Sequence, residues 1–490
     1  MKKIIKIAEA YVLSRTAYKI LLVLSTVLIA IPYIREKIGF IINIMMVYGF
    51  IIVGYELIKG TLLKTLRTTK TSFLLGGFLL SYIITILINK THIIGGLKTV
   101  AFMFLLFVLC FLFPEDTTKD KIIKEMKAVS GTIVASTFIL SLISFIMYVF
   151  SISGIYFTGE GTYQASYGLF EGRLWGVYNP NTGATLTIIS VILSLAFVIT
   201  CKKKRIRIPL IINIALQFSV LILTGSRAGY YVLAGTTVFA VFFAIVNHAK
   251  NFKIKTMVIS ITSAALSLGI FLSVGFTLKE GLAYLPGLTQ YVFSISDEKP
   301  QNNETAQAET HNTEQQVSAK INKVDLNRPG DPNFLEANPF ANRIDIWQAC
   351  FQEFLEAPVF GVGRENVVEK SVDNLKDKGW AYCLKFRNTH NIYLCVLVSS
   401  GIIGFLLIGA FALGTVSRST KTVFKTYKNI NIWFLAAFVL CIMMFATEFV
   451  ESRILYKIGI FSTVFWLYCG YMYKLSKIER TEKSNQTVLK

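Results

Sequence analysis

The sequence predicts an all-α polytopic integral membrane protein with about 12 transmembrane helices and one large extracytoplasmic loop between spans 9 and 10. Three observations lead there. Hydrophobic residues make up 53% of the 490-residue chain and charged residues 16%, against about 25% charged in an ordinary soluble domain. The apolar residues fall into blocks of about 20, enough for a helix to cross roughly 30 Å of hydrocarbon. Lys and Arg collect in alternate connections between those blocks.

In chain order the spans are expected near 17–34, 38–58, 72–89, 94–113, 129–152, 179–200, 208–224, 228–246 and 256–276, then 391–416, 431–447 and 455–473. A helix satisfies its own backbone polar groups, which hydrocarbon cannot do for an irregular chain. The first stretch, from Ala17, lacks a small-residue cleavage site and reads as a span rather than a signal peptide. Basic residues gather in the first 16 positions, at 59–70, 119–127, 202–207, 250–255 and 418–428, and in the tail 474–490. That spacing places both termini in the cytoplasm of a cell-membrane protein with an even number of spans. The net charge of +21 then belongs to loops lying on anionic headgroups, not to a nucleic-acid surface.

Two outer segments interrupt the short loops. The first, 153–178, runs into "EGRLWGVYNPNTGA". The second, 277–390, contains a polar stretch, 296–333, with the composition of a flexible segment. An amphipathic helix follows at about 341–357, with Ile344, Trp347, Phe351, Phe354 and Leu355 on one face. Pro358 ends it and "GVG" at 361–363 turns the chain. Cys350 and Cys383 share this loop and could pair, although two cysteines make no framework. The chain has no phosphate-binding G-x-x-x-x-G-K-[ST] sequence and no Cys/His cluster at metal spacing, so neither a metal nor another cofactor is expected.

The candidate chemistry is carried by arginines and one histidine. Arg227 in "LTGSRAGYY" sits between two apolar runs among small residues. It reads either as a snorkelling interfacial cation or, better given its neighbours, as a clamp for an anion. Arg173 is the basic residue of the first outer loop. It precedes Asn179, Pro180 and Asn181, which a helix start alone would explain. Arg343 heads the amphipathic helix and Arg387 stands three before His390. Each alone is a solvated charge, but together they suit the planar, bidentate recognition of a diphosphate. His92, His248 and His311 have no surroundings that suggest a role. His390, followed by Asn391 at the start of an apolar run, suits a proton acceptor held neutral by the helix's positive end. The alternative is an N-terminal capping cluster.

Four stretches, "GRLWGVYNPNTGA", "LTGSRAGY", "NRIDIWQACFQEFLEAPVFGVG" and "THNIYLCVLVSSGIIG", occur in the order found in the bacterial O-antigen ligase and polymerase superfamily. The resemblance covers about 173–405. One departure is Ser400 before Gly401, where relatives often carry an acidic residue. The resemblance implies glycosyl transfer at the outer face of the membrane from an oligosaccharide on a polyprenyl diphosphate. Arg173, Arg227 and Arg343 then look like diphosphate or sugar contacts, with Arg387 and Asn391 beside them, and His390 like the base or orienting group for the acceptor hydroxyl. The implied partners are the lipid-linked oligosaccharide, membrane lipids and other polysaccharide-assembly proteins such as a flippase or chain-length regulator. A polymerase of surface-polysaccharide repeat units (O-antigen, capsule or exopolysaccharide) is preferred, because the Lys-, Ile- and Asn-rich composition suits a cell without a lipid A core. A ligase acting on a lipid, wall or protein acceptor is the second reading. A non-enzymatic flippase is the third, disfavoured because the arginines gather at one face rather than along a central cavity.

Overall fold

The computed structural model describes residues 12–69, 71–158, 163–248, 254–297, 322–327, 343–375, 388–426 and 430–488. The chain is predominantly helical. The helices are α1 (Arg15–Ile29), α2 (Pro32–Ile38), α3 (Ile41–Ile58), α4 (Thr61–Thr68), α5 (Thr71–Asn89), α6 (Ile93–Leu105), α7 (Lys119–Val149), α8 (Pro180–Thr200) and α9 (Lys204–Leu223). They continue with α10 (Arg227–His248), α11 (Ile254–Ala283), α12 (Leu285–Asp297), α13 (Arg343–Glu356), α14 (Arg364–Asp373), α15 (Ile392–Thr426), α16 (Ile432–Thr447) and α17 (Ile460–Val488). A π-helical turn, Leu106–Phe111, extends α6.

Among the described residues nine helices are long and apolar enough to cross a membrane, or ten if α1 and α2 form one span broken by 115°. This is a multi-pass membrane protein, with fewer clear spans than the twelve blocks suggest. The reasons are local. Ile31 is extended ahead of Pro32, the conformation that a following proline imposes, so the first block bends after Ala30. At the other end of the chain α16 has only 16 residues. The block expected from 455 begins as helix only at Ile460. Ile454, Leu455 and Tyr456 are buried, so their hydropathy reflects packing inside protein rather than a span. Irregular backbone is tolerated there because protein surrounds it.

The all-α expectation also needs correction. The first outer segment folds as a three-stranded antiparallel sheet, β1 (Gly154–Thr158), β2 (Tyr163–Phe170) and β3 (Arg173–Gly176). Glu171 and Gly172 both have positive φ, 50° and 66°, the two-residue turn that matches the twist of a hairpin. Residues 322–327, inside the stretch whose composition suggested flexibility, are packed. Val324 N donates to Ala283 O at 3.0 Å, and Leu326 is buried against Leu174 and Leu282.

The core gathers around α17, which packs on α1, α7, α15, α16 and the π turn, and around α8, whose apolar window is 72% buried. By contrast α11, at 11%, faces outward. Buried side-chain hydrogen bonds join α7, α8 and α9: Thr137 to Ser190, Asn213 to Ser190 and Ser194, and Ser141 to Gln217. Such polar contacts fix helix pairs where apolar burial no longer distinguishes neighbour from lipid.

One break positions the outer loop. Gly401 interrupts α15 with φ 62°, and the turn after α13 lies in the gap. Ile402 N donates to Pro358 O at 2.9 Å, while Val362 N and Gly363 N donate to Val398 O and Ser399 O at 2.9 and 3.1 Å. The carbonyls and N–H groups freed by the break are thus taken by residues 358–363. A Cβ at Gly401 would stand 2.2 Å from Val359 O.

Candidate functional site

Helix ends and interruptions on one side of the bundle converge on Asn181. Asn179 caps α8 through its Oδ1, which accepts from Asn181 N at 3.0 Å, and Pro180 occupies the first helical position. That geometry turns the Asn181 amide toward two partners. Its Oδ1 accepts from Arg173 Nη2 at 3.1 Å, and its Nδ2 donates to Glu451 Oε1 at 3.1 Å. Arg173, at the start of β3, also donates through Nε to Thr224 O at 2.8 Å. Thr224 belongs to the turn between α9 and α10. Gly225 there has φ 58°, and a Cβ on it would come 3.4 Å from Arg173 Cγ, so the turn conformation itself seats the arginine. Arg227, at the first turn of α10, is half-buried. Arg173 and the "LTGSRAG" turn, separate candidates in the sequence, are therefore neighbours.

The segment 448–459 supplies the other wall. Glu448 is buried, and its Oε2 accepts from the backbone N–H of Arg453 and Ile454 at 2.5 and 3.3 Å. The Arg453 guanidinium is held beneath the site: Nη2 donates to Thr185 Oγ1 at 3.1 Å, and Nε lies 3.6 Å from Glu448 Oε1 and 4.0 Å from Glu451 Oε2. It also stacks 4.2 Å from the Phe461 ring centroid.

His390 faces this wall. It adopts φ 48°, sparsely populated by residues with a Cβ, and is not itself in the helix. Asn391 Oδ1 accepts from Leu394 N at 3.0 Å, so Asn391 caps α15 and its side chain is occupied in that role. Neighbouring residues hold His390 on both sides. Trp347 Nε1 donates to Thr389 O at 3.0 Å, Thr389 Oγ1 bonds Ser452 Oγ at 3.1 Å, and Ile392 N donates to Glu448 O at 3.0 Å. The His390 Nδ1 lies 3.8 Å from Glu451 Oε2 and, among the described residues, has no hydrogen-bond partner. That is beyond a hydrogen bond but within strong electrostatic reach. Closure on a substrate is a step in which such contacts commonly shorten.

Burial lowers the His390 pKa below its ordinary value. Glu451 opposes the shift, and Arg343, Lys457 and Arg453 add to it. The imidazole is therefore neutral near pH 7, with desolvation as the main cause rather than the end of α15. Arg343, at the start of α13, is thus one of the cations whose charge acts on the histidine.

Arg173, through Asn181, and His390 are thus drawn to one acidic residue, Glu451, with Asn391 next to the histidine in the chain, and the charge of Arg343 acts on His390. Arg387 lies outside the described residues, as do His311 and Cys383. Cys350 is buried with its Sγ 3.6 Å from Ser371 Oγ. His92 pairs with Glu369 at 3.1 Å on an exposed surface. Sequence reasoning missed Glu448, Glu451, Arg453 and Lys457. Their signal was present as "EFVESRILYK", four charges between two apolar runs, obscured because the last span was begun at residue 455.

Residues 212–409 match the family described as O-Antigen ligase. The matched segment includes Arg227, Arg343, Arg387, His390 and Asn391, while Arg173 and the 448–459 segment fall outside it. No curated protein matches the chain.

Proposed function

We propose that this chain, a member of the O-antigen ligase and polymerase superfamily through residues 212–409, is a glycosyltransferase that polymerises repeat units carried on polyprenyl diphosphate. The observation that carries the reading is the convergence of Arg173 and Arg453 with a neutral His390 around Asn181 and Glu451, with the charge of Arg343 acting on the histidine. The donor's diphosphate binds to the accessible arginines, Arg173, Arg227 and Arg343, with Arg387 as a further contact. Arg453 is committed to Glu448 and Thr185 and supports the site from below. Arginines supply fixed, permanent charge to phosphate oxygens without a metal.

In the reaction the acceptor hydroxyl oxygen attacks the anomeric carbon of the donor sugar. The bond from that carbon to the diphosphate oxygen breaks, and its electron pair leaves with the polyprenyl diphosphate. The arginines stabilise the charge that develops there. His390 takes the hydroxyl proton, a role worth typically 10²–10⁴-fold. Glu451 orients the ring and stabilises the imidazolium that forms. Asn391 fixes the backbone that presents the ring. A single displacement inverts the anomeric centre. The leaving group carries its own activation, so no nucleotide is consumed.

Transfer of the glycan to a lipid, wall or protein acceptor is the second reading, supported by the ligase description of the matching family. The test is purified protein in lipid nanodiscs with a synthetic polyprenyl-diphosphate-linked repeat unit as sole substrate. A ladder of lipid-linked oligomers is expected. No product until a different acceptor is added would replace the polymerase by the ligase, and no transfer at all would refute both.

A further inference from the structure

The amphipathic face expected of α13 divides in the fold. Trp347 and Phe354 pack against the buried group of Ile346, Cys350, Val362 and Val398. Ile344, Phe351 and Leu355 stay uncovered, 48, 44 and 55% exposed, and Val359 beyond the helix continues the row at 49%. At about 3.6 residues per turn the three helical positions form one narrow stripe. Gln348, Gln352 and Glu356 are exposed along one flank of it.

The chain carries this stripe below the end of the bundle. Helix α5 has 19 residues, about 28 Å of helix against roughly 30 Å of hydrocarbon, so its ends mark the two membrane surfaces. The turn after α13 is bonded inside that span. Thr85, four residues before α5 ends, donates to Phe360 O, and Tyr82, seven before the end, donates to Glu365 Oε2 at 2.9 Å. Those positions lie about 6 and 10 Å beneath the surface. Thr99, which donates to Glu365 Oε1 at 2.9 Å, is six residues inside α6, about 9 Å by the same measure. Helix α14 then climbs back, and Glu369 meets His92, past the end of α5, at 3.1 Å.

Backbone that leaves helical form at this depth has to be satisfied by protein, and here it is. Gly361 O accepts from Asn89 Nδ2 and Val362 O from Asn366 Nδ2. The N–H groups of Gly361, Val362 and Gly363 donate to the carbonyls of Ala357, Val398 and Ser399. The uncovered row also joins the outward side of α15. Ile402 N and Ile403 N donate to Pro358 O and Val359 O, and Ile402 and Leu406 are exposed.

We propose that residues 343–363 form a re-entrant element of the membrane, with Ile344, Phe351, Leu355 and Val359 against the acyl chains of the leaflet on the site's side. The partner is lipid, because the stripe is uncharged and continuous with the apolar side of α15. The flank of Gln348, Gln352 and Glu356 turns to the headgroups, as in an interfacial helix. Part of the segment read as an outer loop, 277–390, therefore lies within the bilayer. Trp347 donates to Thr389 O at 3.0 Å, so the element held by the leaflet also holds the residue before His390. This surface is independent of the reaction assigned to the site.

The test is photolabelling of the unaltered full-length protein in phospholipid nanodiscs, with adducts mapped by mass spectrometry. One probe is a phosphatidylcholine with a diazirine on its acyl chain, and the other is a water-soluble diazirine. Helix α11, whose apolar window is 11% buried, is the internal standard for lipid contact, and Glu369 and Lys370, exposed on α14, are the standard for water. Acyl-chain adducts on Ile344, Phe351, Leu355 and Val359 are expected to approach the yield on α11 and exceed that on α14. Aqueous adducts on Phe351 and Leu355 in place of acyl-chain ones put the stripe in water and overturn the inference. Adducts from neither probe mean that protein covers it, a remote part of the chain or a second copy, and overturn it as well.

Discussion

Replacing Glu451 by Gln isolates the electrostatic partner of His390 with little change of shape. The amide oxygen still accepts from Asn181 Nδ2, as the carboxylate does at 3.1 Å, so the α8 contact survives. What disappears is a negative charge 3.8 Å from Nδ1. At that separation two unit charges interact by about 4 kcal/mol at an effective dielectric of 20 and about 1 kcal/mol in water. The His390 side chain is 30% exposed, so a value near 2 kcal/mol is expected, about a 30-fold loss in kcat if the imidazolium forms in the transition state. The sign of the pH effect also follows. Glu451 is the neighbour that raises the His390 pKa against burial and three cations. Without it the pKa falls further, the ring stays neutral to lower pH, and the acid limb of kcat/KM moves to lower pH. Initial rates across pH, with the reconstituted protein and a synthetic lipid-linked substrate, measure both quantities. An unchanged kcat, or an acid limb displaced to higher pH, refutes the pairing. A loss confined to KM refutes it as well, because the charge acts on the base rather than on the bound donor.

Three further outcomes follow from named residues. Cells carrying His390→Ala should accumulate single lipid-linked repeats, with turnover reduced by about 10²–10⁴-fold and the protein still in the membrane. His311→Ala should leave polymer length unchanged, and normal polymer in the His390 variant removes the catalytic assignment. Arg227→Lys should lower turnover, since one ammonium cannot reproduce a bidentate phosphate contact, and equal rates in the two proteins would exclude the clamp. Gly401→Ala should lower the melting temperature in detergent, because the new Cβ meets Val359 O at 2.2 Å and φ is 62°, a strain of about 1–3 kcal/mol. An unchanged melt would show that the loop does not clasp the broken helix.

The sequence revealed what depends on local composition. Hydropathy located most of the apolar helices but not their number as spans, and helical spacing located α13, expected at about 341–357 and found at Arg343–Glu356, with Pro358 just beyond it. What it did not reveal depends on geometry between remote segments. Arg173 meets the Thr224 carbonyl 51 residues further on, in the turn between α9 and α10. Its four-residue strand, preceded by Gly172 and ending in Gly176, is too short for an alternating pattern to register. Glu451 and His390 sit on opposite sides of α15 and α16 in the chain, and no spacing rule connects them. Lys457 was lost to averaging, since its apolar neighbours Ile454, Leu455 and Tyr456 carry the hydropathy of a span.

The placement of the site has a common physical cause. A continuous helix has no free backbone N–H or C=O to offer a charged side chain, so in an apolar bundle a charged group is best held where helices stop. Three groups of the site use such an end. Glu448 takes two N–H groups of the irregular 448–459 segment, Arg173 takes the Thr224 carbonyl after α9, and Asn391 takes an N–H of the first turn of α15. The same interruptions that make the bundle poor as a set of spans, the α9–α10 turn, the start of α15 and the gap before α17, are therefore what allow it to hold arginine, glutamate and histidine together. Interruptions of the apolar pattern that keep charged residues were the most informative feature of this sequence, and "EFVESRILYK" was the one whose reading as part of a span hid half of the site.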